Sequence, residues 1–141
     1  MKLDSTRFLK RPKGQEATVA ALFYEYLGDG GFEGFSPYIS GYRDRYDLTG
    51  RVGKKNLVIE FKYDLLGLFK DFAITRKLFN ELNVVVVWEI TEGDRQRAAD
   101  RGIEIEEIDG EAEVFPEATH ELIIDSCAPV EVVEMKALLS S

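Results

Sequence analysis

The run "NVVVVWEI", residues 83–90, constrains the fold of this chain more than any other stretch. Strand side chains point alternately to the two faces of a sheet, so an unbroken β-branched run is apolar on both faces at once. Such a strand is tolerated only where both faces are covered, which calls for a sheet with a layer of helices on each side. With 141 residues the chain can supply those layers and bury a core without metal or disulfide staples. It divides most simply into a basic N-terminal arm, residues 1–14, and a single domain over residues 15–141.

The flanking sequence provides the cover. After the "RPKG" punctuation a first helix is expected from Gln15 to Leu27, with Val19, Ala20, Phe23 and Leu27 at helical spacing, stopped by the glycines of "GDGGFEG". Strands are expected in "SPYISGY", "RYDLTGRV" and "NLVIEFKY", the last two joined by a tight "GKK" connection. Leu65, Leu68, Phe69, Phe72, Phe79 and Leu82 then recur at helical intervals, predicting one amphipathic helix over residues 65–82. Beyond the valine strand, "EGDRQRAADRG" reads as a short polar helix ending at Gly102, with "IEIEEI", "ELIID" and "VEVVEM" as further strands. The fold class expected is α/β (α+β), a mixed central sheet flanked by helices, with an antiparallel hairpin and a parallel crossover.

Inside the strand "LVIEF" a carboxylate and a lysine interrupt an otherwise apolar run. Alternation puts Val58, Glu60 and Lys62 on one face and Leu57, Ile59 and Phe61 on the other, where they pack under a helix. The charged pair falls toward the end of the strand, where the buried part of the sheet is expected to open. If the hairpin pairs through the turn near Gly53, Asp47 on the preceding strand approaches the same end; Asp44, three residues earlier, is its rival. Carboxylates on two adjacent strands and one lysine suit phosphodiester hydrolysis with a hard cation: Asp47 and Glu60 as oxygen ligands, Lys62 orienting a water or stabilising developing charge. Glu16 precedes Val19, Ala20 and Phe23 by three, four and seven residues, so it lies on the core-facing stripe of the first helix. The plainer alternatives are a same-face ion pair for Glu60 and Lys62, a turn residue for Asp47 and a first-turn acid for Glu16.

Together, Glu60-Phe61-Lys62, the upstream Asp47 and the helical Glu16, in an α, β, β, β, α, β order, resemble the PD-(D/E)XK nuclease superfamily. "GQEATVAALFYEYLGDG", "RYDLTG" and "LVIEFKYDL" look more narrowly like the nuclease-like domain associated with Hsp90-type ATPases. The resemblance covers roughly residues 15–90, and Tyr46 stands where the motif has proline. It implies a restriction-endonuclease-like αβββαβ core and cleavage of DNA with Mg²⁺ or Mn²⁺. Asp47 and Glu60 would be metal ligands, the main-chain carbonyl of Phe61 a further ligand, Lys62 the catalytic lysine and Glu16 an accessory carboxylate. It also implies DNA as partner, and a homodimer or a larger ATPase-containing protein as assembly. The rival from another class is a catalytically silent module on the same fold, serving assembly or DNA tethering. DNA and RNA are not separated by anything in the sequence.

Charge bears on that choice. The net charge of −8 disfavours a polyanionic partner, yet it is unevenly spread. Residues 1–62 carry eleven Lys plus Arg against eight Asp plus Glu, whereas residues 63–141 carry seven against eighteen. Lys10, Arg11 and Lys13 lie in the arm, and Arg43, Arg45, Arg51, Lys54 and Lys55 surround the hairpin as candidate phosphate contacts. The alternative for the latter is a solvated rim. His120 is the one histidine and is expected in a loop beside "PEAT", so no histidine pair or nucleophilic triad is available. Cys127 has no cysteine to pair with, Trp88 is expected in the core, and no apolar run approaches the roughly 20 residues that span a bilayer. The chain therefore reads as soluble and cytoplasmic.

Overall fold

A computed structural model describes residues 16–40, 47–75, 81–125 and 127–140. The elements run α1 (Glu16–Gly28), β1 (Phe35–Ser40), β2 (Leu48–Val52), β3 (Lys55–Phe61), α2 (Leu65–Thr75), β4 (Val84–Val87), α3 (Glu92–Asp100), β5 (Glu104–Glu107), β6 (His120–Ile123), β7 (Val130–Glu134) and α4 (Met135–Ser140). Among the described residues seven strands form one mixed sheet in the order β1-β2-β3-β4-β7-β6-β5. The β1/β2 and β2/β3 pairs are antiparallel, β3/β4 and β4/β7 are parallel, and β7/β6 and β6/β5 are antiparallel. No helix among the described residues is long and apolar enough to cross a membrane.

The valine strand sits where its composition requires. Flanked by β3 and β7 near the centre of the sheet, Val84 to Val87 are all 0 % exposed. Val84 and Val86 join the core formed with Val19, Leu22 and Phe23 of α1 and with Met135 and Leu139 of α4. Val85 and Val87 join the opposite core, with Leu65, Leu68 and Phe69 of α2 and Ala98 of α3. Four residues thus contribute to two cores, one on each face.

The β2–β3 hairpin is tighter than expected. Val52 pairs with Lys55, leaving Gly53 and Lys54 as a two-residue loop. Gly53 has φ +59, the backbone region that a first loop position of type II′ needs and that glycine enters without steric cost. Gly50 serves packing instead: a β-carbon there would overlap the Phe35 ring.

Several expected boundaries move. The described part of α2 ends at Thr75, residues 76–80 lie outside the described residues, and Leu82 is a buried residue in the approach to β4 rather than part of the helix. The short α4 was absent from the sequence expectation; its Met135 and Leu139, four apart, close the α1 side of the sheet. His120 begins β6 instead of lying in a loop, and its Nδ1 is 2.8 Å from Thr119 Oγ1 and 3.3 Å from Glu134 Oε1. Trp88 is in the core as expected, and Cys127 is half-buried.

Buried carboxylates fasten the connections. Asp94, 1 % exposed, accepts from Leu66 N at 2.9 Å and from Thr91 N at 2.9 Å, while its own amide donates to Thr91 Oγ1 at 3.1 Å. One side chain therefore completes the capping box of α3 and satisfies an amide in the first turn of α2. Glu131 of β7, 5 % exposed, accepts from Val114 N at 2.8 Å and Phe115 N at 2.9 Å, pinning the β5–β6 connection to the sheet.

Candidate functional site

The carboxyl end of β3 is where the candidate residues meet. Lys62 N donates to Val86 O of β4 at 2.9 Å. Amide and carbonyl directions alternate along an extended chain, so the N–H and C=O of Phe61 face away from β4, toward β2. Phe61 N donates there to Asp47 Oδ2 at 2.8 Å. Asp47 immediately precedes β2, and its carboxylate takes the place of a backbone acceptor at the end of the β2/β3 ladder. Leu48 pairs with Ile59, so the next step of the register sets Asp47 across from Glu60.

One further group, Glu16, arrives from outside the hairpin and meets the Lys62 side chain. Glu16 opens α1 at its exposed edge rather than facing the core, its side chain 46 % exposed, with its Oε1 3.6 Å from Lys62 Nζ; the Lys62 side chain is 16 % exposed. Burial raises the Glu16 carboxyl above its ordinary range, the Lys62 ammonium pulls it down, and the Asp47 carboxylate, within hydrogen-bonding reach, raises it again. Glu16, Asp47, Ala17, Ala20, Tyr24 and Phe61 line a cleft of ≈ 330 Å³. Two carboxyls of different elements, a lysine and an apolar wall thus share one corner of the molecule.

Glu60 differs from expectation. It is 0 % exposed and is not among the residues lining the cleft, so the sheet does not open at this position. The face assignment holds: Leu57, Ile59 and Phe61 join the α1 core, and Val58 packs on the α2 core. Glu60 Oε1 is enclosed without a hydrogen bond, although the residue makes other interactions. Among the described residues no three His, Cys, Asp or Glu side chains group closely enough to hold a metal ion.

The basic candidates are dispersed. Arg43 and Arg45, the rival acid Asp44 and the arm residues Lys10, Arg11 and Lys13 lie outside the described residues. Arg51, Lys54 and Lys55 are exposed at the turn end of the hairpin. The length of β2, roughly 15 Å at strand rise, separates that turn from Asp47. Arg51 Nε is 3.4 Å from Asn56 Oδ1, and its guanidinium lies 5.3 Å from the centre of the Tyr38 ring. Lys55 borders a groove of ≈ 520 Å³ whose walls include Glu106, Glu107, Asp109 and Glu121, an acidic setting for a phosphate contact.

Sequence reasoning missed the apolar half of the cleft. Glu16, Ala20 and Tyr24 are four and eight residues apart and therefore share a helical stripe, which was the available signal. Residue pattern alone does not reveal that Phe61 and Asp47 close the other side. The fold and corner together define a mixed α/β domain carrying a carboxylate–lysine cluster at a strand end. No protein-family model, curated protein or solved structure matches the chain.

Proposed function

We propose that the chain is a metal-dependent nuclease domain of the PD-(D/E)XK type, with a restriction-endonuclease-like αβββαβ core, hydrolysing DNA phosphodiester bonds with Mg²⁺ or Mn²⁺. The observation that carries the proposal is the meeting of Glu16, Asp47 and Lys62 beside the Phe61 backbone at the end of β3. The donor set suits a hard cation: Mg²⁺ is commonly held by one or two carboxylates, with water and substrate phosphate completing its shell. Asp47 and Glu16 would hold it, with the Phe61 carbonyl directed to the same side and Glu60 as a further candidate. When bound, the ion supplies positive charge at a phosphoryl oxygen and acidifies a water. Lys62 holds its ammonium beside Glu16, where it orients a nucleophilic water or neutralises charge developing on the phosphate. The Asp47 carboxylate helps raise the Glu16 carboxyl, and a bound cation would offset that repulsion.

A second possibility, a silent module for assembly or DNA tethering in a larger ATPase-containing protein, is favoured by a different pair of facts. Asp47 Oδ2 is engaged by a backbone amide, and Glu60 is fully buried. Calorimetric titration of Mn²⁺ into the chain and into Glu16→Gln, Asp47→Asn and Glu60→Gln variants separates the two. Saturable binding lost in Asp47→Asn, with Mg²⁺-dependent nicking of supercoiled plasmid that EDTA abolishes, supports the nuclease. A folded protein that neither binds Mn²⁺ nor nicks DNA leaves the module.

A further inference from the structure

The cleft beside the acidic corner carries an aromatic ring to which the proposed hydrolysis assigns no role. Tyr24 is 38 % exposed, one of two large hydrophobic residues exposed among the described residues. It lies one turn beyond Ala20 and two beyond Glu16, so the stripe along α1 runs from a carboxylate, over two alanines, to an aromatic ring. The ring is held on two sides. It crosses Phe23 at 86° with centroids 5.6 Å apart, and Phe61 at 60° with centroids 5.9 Å apart. Its orientation is therefore set before any ligand arrives, and little side-chain freedom remains to be lost on binding.

We infer that this cleft takes one unstacked nucleobase on Tyr24, so that the substrate is a single-stranded segment of nucleic acid. Three observations combine in that assignment, which rests on the nuclease proposal above. Ala17 and Ala20 keep the floor low enough for a flat ring to lie against the helix, and Tyr24, backed by the buried Phe61 ring, supplies the aromatic surface. The volume of ≈ 330 Å³ suits one base with part of its sugar rather than a duplex. Glu16 and Asp47 line the acidic side of the same cleft, with the Lys62 ammonium 3.6 Å from Glu16 Oε1, so a base seated on Tyr24 brings the adjoining phosphate to them. In a duplex the base stays stacked on its neighbours, and extracting it costs free energy that a single strand does not require. Every base has a π-face, so the site discriminates strandedness and not sequence.

The test is binding to the whole chain in EDTA, where no cleavage occurs, read by fluorescence anisotropy. The probes are a fluorescein-labelled oligothymidylate and the same strand annealed to oligoadenylate. Tyr24→Leu keeps apolar cover over Phe61 but removes the flat face, whereas Tyr24→Phe retains it. The single strand is expected to bind tighter than the duplex. Tyr24→Leu should weaken single-strand binding about tenfold, with Tyr24→Phe near wild type and duplex binding unchanged by either. Equal affinity for both probes, no binding of either, or a Tyr24→Leu variant of native circular dichroism that binds like wild type overturns the inference. Mg²⁺-dependent cleavage of the labelled oligothymidylate is scored separately. Cleavage without Tyr24-dependent binding sinks the base site alone; Tyr24-dependent binding without cleavage of the single strand sinks the nuclease and keeps the base site.

Discussion

Asp47 has a structural bond and a proposed chemical one, and two substitutions separate them. Asp47→Ala removes the acceptor for Phe61 N, now made at 2.8 Å, and leaves that amide unpaired in a part-buried ladder end. A hydrogen bond to a charged group contributes roughly 1.5–3 kcal/mol. Relief of the repulsion with Glu16 offsets a fraction of that, so a loss of about 2 kcal/mol is expected. For a chain of this size it corresponds to a fall in Tm of roughly 4–8 °C. Asp47→Asn keeps a carbonyl oxygen for the amide and removes only the charge, so its cost should stay below about 1 kcal/mol. Both variants remove an anionic ligand, so both should lose Mn²⁺ binding. Urea and thermal unfolding followed by circular dichroism, alongside calorimetric Mn²⁺ titration, read the two consequences apart. Equal destabilisation by Asn and Ala would refute the claim that the carboxylate stands in for a ladder acceptor. Undiminished Mn²⁺ binding in Asp47→Asn would remove it from the metal site.

Other consequences can be checked with few variants. Lys62→Ala should abolish Mg²⁺-dependent nicking while shifting stability by less than about 1 kcal/mol, because its ion pair is with a half-exposed partner; unfolding together with loss of nicking would count against a chemical role. The Glu16 carboxyl is raised on folding, so the folded state binds its proton more tightly. The stability Glu16 contributes is present below its unfolded pKa and is lost as pH rises through the folded one. Glu16→Gln should therefore raise Tm by no more than a few degrees at pH 7, given solvent screening, and by nothing near pH 4, which parallel melts would show. Glu131→Ala should cost roughly 3 kcal/mol and speed hydrogen exchange at Val114 and Phe115, whose amides it accepts at 2.8 and 2.9 Å. Gly50→Val should cost about 1–3 kcal/mol by displacing Phe35, visible as a lowered urea midpoint with unchanged slope.

Much of this architecture is written locally. The valine run announces a strand covered on both faces, Gly53 announces the hairpin turn, and the apolar spacing of Leu65, Leu68 and Phe69 announces α2, because each signal needs only its own neighbours. The alternation that sent Leu57, Ile59 and Phe61 to one side was equally legible. Residues whose role depends on a distant amide were not. Asp94 and Glu131 look like ordinary surface acids until Leu66, Val114 and Phe115 are brought to them. Glu60 looked like the open end of a strand, and only the stacked layers show that it is enclosed. The basic residues near Asp47 in sequence are carried away from it by an extended strand, so Arg51, Lys54 and Lys55 end at the turn. With six residues, α4 is too short for periodicity to declare it.

The placement of β4 has a consequence for how the chain acquires its structure. One neighbour, β3, precedes it by a short stretch of sequence that contains α2, but the other, β7, is distant in sequence, with Val84 paired to Glu131. During synthesis the valine strand can therefore dock on β3 well before its second edge is filled. In that interval it presents an unpaired, uncharged, β-branched edge, the kind of segment that recruits other chains. Non-local pairing slows folding, and here it is also what closes the most aggregation-prone edge of the sheet. Productive yield of this protein should depend on how quickly residues 130–134 reach the sheet.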